Sequence, residues 1–171
     1  MDHAQAQFLS DYLCKLWEGE FPVTCKVLAA VPDGKHTYRP DERSRSAWEL
    51  ATHIATSDIW FADSIVTGQF VFDPERAKQR AAQFSTVQDV VDFYKKEFPA
   101  AIGRLRALTP EQKAATVDFF GMMQRPGVTY LGMANNHSVH HRGQLAAYLR
   151  AMGSKVPAGS SLLLVRTERP S

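Results

Sequence analysis

The sequence predicts an all-α protein built as a four-helix bundle. Three observations carry that expectation. Four long stretches place apolar residues at helical spacing, each is bounded by cap or stop chemistry, and no pair of alternating segments reads as paired strands. A chain of 171 residues is long enough for one domain with a sizeable core. Its 44% hydrophobic and 22% charged content is that of an ordinary globular protein.

The first helix is expected from about Ala4 to Ala30, with Phe8, Leu13, Leu16, Trp17, Val27 and Leu28 in the core. Pro22 should kink or divide it, because proline lacks the backbone donor and clashes with the preceding turn. Val31-Pro32-Asp33-Gly34 supplies turn chemistry at its end, and Lys35 to Arg45 is a polar connection. The second helix, Ser46 to Gln69, opens with a capping box, Ser46 with Glu49, and stops at Gly68. Leu50, His53, Ile54, Trp60, Phe61 and Ile65 mark its apolar side. Asp73-Pro74-Glu75 starts a short helix, and Ser85 or Thr86 begins the third long one, which contains Pro99. Thr109-Pro110-Glu111 caps another short helix, and 117–128 reads as loop. The fourth long helix runs from Thr129 to Met152 and ends at Gly153. In the segment beyond, Leu162 to Val165 is an apolar run suited to packing on the bundle or on a partner.

Charge and composition exclude several functions. The net charge of +2 is spread along the chain, with no basic stripe of the kind that binds nucleic acid. No apolar run reaches the roughly 18 residues of a membrane span. Met1 to Gln5 has no basic start leading into an apolar core, so a cytoplasmic protein is expected. The two cysteines agree: on one helix Cys14 and Cys25 lie about 16 Å apart, too far for a disulfide, and read as reduced core thiols.

The most informative stretch is His137-Ser138-Val139-His140-His141-Arg142-Gly143-Gln144. Residues four apart on a helix stand above one another, so His137 and His141 can aim at one metal ion. Two ligands do not make a site, and His53, in the apolar second helix, is the best third. Three imidazoles leave one position open for water or substrate, the catalytic type of coordination. They suit Zn, Ni, Fe or Cu better than Mg or Ca. Weighed against this, a lone histidine on an apolar face is more often a satisfied core residue, and pairing of His137 with His140 is also open. Gln144, Glu49 and Ser57 stand where they could support the ligands, although capping or surface roles are commoner for such residues. Trp48, Trp60, Phe119 and Phe120 are candidates to line a pocket. His3 and His36 lie in terminal or loop segments and carry no functional weight.

Glu49-Leu50-Ala51-Thr52-His53-Ile54, together with His137-x3-His141-Arg142-Gly143-Gln144-Leu145, resembles the DinB-like (DinB/YfiT-like) superfamily of metalloenzymes. Tyr38-Arg39-Pro40 leading to Ser46, and Val156-Pro157 after the last helix, extend the resemblance from about Phe8 to Pro157. The resemblance implies a four-helix bundle over 1–157 with a tail over 158–171, commonly a homodimer. It implies His53, His137 and His141 as ligands of one divalent transition metal (Zn, Ni or Fe), which favours His141 over His140. Family activity is diverse: some members use a metal-bound low-molecular-weight thiol, others are stress-induced proteins without an assigned reaction. The leading expectation is a metal-dependent thiol S-transferase acting on a small-molecule electrophile. A metal-dependent hydrolase and a non-catalytic metal-binding stress or oligomerisation protein are the alternatives.

Overall fold

The structure is a computed structural model and describes residues 1–159. Its long helices are α1 (His3–Ala29), α2 (Ala47–Thr67), α4 (Val87–Arg106) and α6 (Tyr130–Ala151); the short ones are α3 (Pro74–Ala82) and α5 (Pro110–Ala114). The four long helices close a ring, α1 against α4, α4 against α2, α2 against α6 and α6 against α1. This is the predicted all-α bundle. No described helix is long and apolar enough to cross a membrane.

The starts follow from side chains that satisfy backbone N–H groups left free in a first turn. Ser46 accepts from the Glu49 N–H at 3.1 Å while Glu49 accepts from the Ser46 N–H at 2.6 Å. Asp2, Thr86 and Thr109 form the same reciprocal box with Gln5, Asp89 and Gln112. Gly68 ends α2 at φ 69°, a left-handed conformation that glycine adopts without a Cβ clash. Pro22 and Pro99 both lie inside continuous helices, so Pro22 does not divide α1.

Two expectations need correction. Phe8 and Leu16 are 74% and 42% exposed and lie outside the core. With Tyr12 they form an i, i+4, i+8 stripe on the outer face of α1, while Ala6, Ser10, Cys14 and Trp17 face the bundle. Three of these inward residues are small, and the fourth, Trp17, meets Phe98 edge-on at 5.2 Å. The segment read as loop contains a hairpin, β1 (Thr116–Phe119) against antiparallel β2 (Met123–Pro126). Val117 and Phe119 alternate inward along β1, and the reversal uses positive φ at Phe120 (54°) and Gly121 (72°). Asp118 Oδ2 accepts from the Gly121 N–H at 2.8 Å and holds that turn.

Cys14 and Cys25 are free and buried, and burial pushes both thiols up. The run Leu162 to Val165 lies outside the described residues.

Candidate metal centre

The bundle brings His53 of α2 together with His137 and His141 of α6. One ring nitrogen of each lies within 4.8 Å of the other two. His53 Nε2 is 3.2 Å from His137 Nε2, and the ring centroids of His137 and His141 are 4.4 Å apart. His140 is exposed and stands outside this group. The convergence follows from helical geometry: α6 lays His137 and His141 one turn apart on the face that packs on α2.

Desolvation sets the protonation of the site. It holds His53 down to about 3, with help from the charges of Arg45, His141 and His137. It holds His137 down to about 4, helped by His141, Arg45 and His140. His141 is lowered too, by burial first, with the Gln144 contact opposing. All three imidazoles are therefore neutral at pH 7, the state in which a ring nitrogen offers a lone pair to a cation. Arg45, which sequence reasoning passed over, adds positive charge felt by all three rings.

The supporting residues divide clearly. Gln144 Oε1 lies 2.8 Å from His141 Nδ1, so it orients that ring and leaves Nε2 free to point inward. Glu49 instead serves the Ser46 capping box and pairs with Arg39. Ser57 donates to the backbone carbonyl of His53 at 2.6 Å, not to its ring. Phe61 packs on His137 at 5.2 Å between centroids, and His137 Nδ1 is buried without a hydrogen-bond partner.

Beneath the histidines lies a buried polar cluster that sequence reasoning also missed. Asp58 Oδ2 accepts from Tyr94 Oη at 2.7 Å and from Ser138 Oγ at 2.9 Å. Burial pushes the Asp58 carboxyl up to about 7. Arg142 is buried against α1, donating to Thr24 Oγ1 at 3.1 Å and pairing with the Glu20 carboxylate.

These shifts predict a pH dependence. His53 and His137 resist protonation when folded but titrate near the ordinary 6.5 when unfolded, so their stabilising effect is complete above 6.5 and is lost as pH falls toward 4. Asp58 works in the opposite sense, because the folded state keeps a proton up to about 7 that the unfolded state releases near 3.8. Two imidazoles outweigh one carboxyl. The melting temperature of metal-free protein should therefore fall on acidification through this window, and more steeply in Asp58→Asn. Thermal scans across the range check it; a melting temperature that rises as pH drops would contradict the assignment.

A cavity of about 650 Å³ opens beside the centre, with His53 and His137 in its wall along with Trp60 and Phe61. Trp60 donates to the Val71 carbonyl at 2.9 Å and stacks on Phe120. Trp48 lies elsewhere, against His36.

The signature of the DinB family matches residues 5–169. The chain belongs to the DinB family. It is 32% identical over 133 residues to the uncharacterized protein YjoA of Bacillus subtilis, covering 77% of this chain and 82% of YjoA. The crystal structure of that DinB-like protein superposes with a TM-score of 0.66 at 28% identity, over 85% of this chain and 96% of the other. A DinB-like protein from Bacillus cereus gives 0.69 at 24% identity, over 85% and 93% of the two chains. A mutant of mycothiol-dependent maleylpyruvate isomerase shares the fold at 0.51 and 10% identity, over 92% of this chain and 65% of that one.

Proposed function

We propose that this DinB-family protein is a metal-dependent enzyme whose His53, His137 and His141 hold one divalent transition ion, Zn, Ni or Fe, and that its reaction is thiol S-transfer to a small electrophile. The observation that carries the reading is the pairing of three neutral, convergent imidazoles with a cavity of about 650 Å³ at their side. The donor set fits such an ion: nitrogen ligands only, uncharged at pH 7, with His137 Nδ1 buried and without a hydrogen-bond partner. Among the described residues no fourth His, Cys, Asp or Glu joins the group, which leaves room for an exogenous ligand. When bound, an ion of this kind supplies a Lewis acid that lowers the pKa of a thiol or water beside it.

The chain's own residues do the rest. Gln144 fixes the His141 ring. Phe61 and Trp60 give the cavity an apolar wall. Cys14 and Cys25 are buried, with thiols pushed up, so neither serves as the nucleophile and the thiol must diffuse in. The mycothiol dependence in the name of one fold relative is consistent with that chemistry. The homodimer implied by the family resemblance, in a cytoplasmic setting, belongs to the same proposal, and sedimentation velocity reads it directly.

The test is conjugation of glutathione, bacillithiol, mycothiol or cysteine to a bimane probe by metal-loaded protein. A metal-dependent rate that survives Cys14→Ser and Cys25→Ser but not His141→Ala is expected. No rate above background with any thiol would remove the transferase reading and leave hydrolysis or non-catalytic metal binding.

Metal removal gives an independent check. The bundle has its own core, so chelation should leave the helical circular dichroism signal intact. A ligand at 100 times its Kd contributes about 2.7 kcal/mol, and about 1 kcal/mol moves a chain of this size by roughly 2–4 °C. Chelator should therefore lower the melting temperature by several degrees, and collapse of the helical signal at 25 °C would contradict this.

A further inference from the structure

The same cavity is also lined by arginines. Arg76 and Arg80 of α3 and Arg104 of α4 all line it. Two carboxylates, Asp63 and Asp73, also line the cavity, and each already holds a partner there. Asp63 Oδ1 accepts from Arg104 Nη2 at 2.7 Å, and Asp73 caps α3 by accepting from the Arg76 backbone N–H at 3.1 Å. The guanidinium groups of Arg76 and Arg80 enter no ion pair among the described residues. They stand four residues apart on one nine-residue helix, so their side chains rise from the same face. Arg76 is exposed and Arg80 half-buried. The lining also includes the apolar side chains of Trp60, Phe61, Val71 and Phe72.

From this arrangement we infer that the cavity takes a ligand with an apolar body and an oxyanion head, carboxylate or phosphate. The body lies along Trp60 and Phe61, and Arg76 and Arg80 receive the head. Guanidinium forks match both anions in geometry and bind them by charge-assisted hydrogen bonds. A head held at α3 leaves the rest of the ligand in the same cavity as His53 and His137, where its reacting end belongs. This names the substrate class for the enzyme proposed above and rests on that proposal for the ligand's being a substrate.

The test uses metal-free wild-type protein, so it does not depend on the metal reading. Calorimetric titration compares phenylacetate and phenyl phosphate with phenylacetamide, which has the same ring and no charge. Each anion is expected to bind at least about tenfold more tightly than the amide, the factor one charge-assisted bond supplies. Added salt should weaken the anions and spare the amide. Arg76→Gln and Arg80→Gln should each reduce the preference, and the double variant should abolish it without changing amide binding or helical content, since glutamine and arginine have similar helix propensity. Preference for only one of the anions identifies the head group. Equal binding of anions and amide, no binding of either, or a preference that persists in the double variant would overturn the inference. An anion preference found without any metal-dependent turnover would remove the proposed function alone.

Discussion

Replacing any one of His53, His137 or His141 by alanine should abolish stoichiometric metal binding, while His140→Ala should keep it. Each of the three supplies one nitrogen to a group whose members lie within 4.8 Å of one another. Two remaining imidazoles hold a divalent ion no better than many surface pairs do. The expected loss of affinity exceeds the roughly 10–100-fold that a supporting hydrogen bond controls. Gln144→Ala belongs in that lesser range, because the residue touches His141 Nδ1 and not the centre. Elemental analysis of protein purified without a histidine tag measures all five variants. Metal lost from His140→Ala alone would mean that α6 presents a different face to α2.

How much of this centre could be read from the sequence depends on the kind of signal. The i, i+4 spacing of His137 and His141 survives translation into structure because helical geometry is rigid. The third member, His53, is 84 residues from His137 in sequence, and no local rule joins them. Only its place on an apolar helix and the family resemblance pointed to it. Caps were legible for the same local reason: Ser46, Thr86 and Thr109 each meet a partner three residues on. The hairpin was not, because its strands are four residues each and its turn carries Phe120 at φ 54° where asparagine or aspartate would have signalled a turn. The α1 stripe failed for a different reason. Phe8, Tyr12 and Leu16 have the helical period of a core face, and periodicity alone cannot say which of two apolar stripes turns inward. The arginines of the cavity were invisible as a group, since their meaning comes from where Asp63 and Asp73 are already engaged.

Glu20→Ala should be among the most destabilising single substitutions in the protein, and worse than loss of its partner. The pair joins α1 to α6 one residue beyond His141. Arg142 is 2% exposed and Glu20 27%. Nη1 of Arg142 also donates to the Glu20 carbonyl at 3.2 Å and to Thr24 Oγ1 at 3.1 Å, while its Nε has no partner. Removing the carboxylate strands a fully buried cation, which costs about 3–5 kcal/mol. For a chain of this size that is a drop of roughly 6–20 °C in melting temperature. Arg142→Met leaves an acid that can turn to water from its partly exposed position, and methionine fills much of the vacated volume, so the loss should be smaller. The double variant removes the stranded cation altogether and should be more stable than Glu20→Ala alone. That ordering, with Glu20→Ala lowest and the double variant above it, is the signature of buried-charge desolvation as opposed to a simple loss of contact. Thermal and denaturant unfolding of the three variants gives it directly. If the double variant is the least stable, the pair acts through additive packing and the charge carries no special cost.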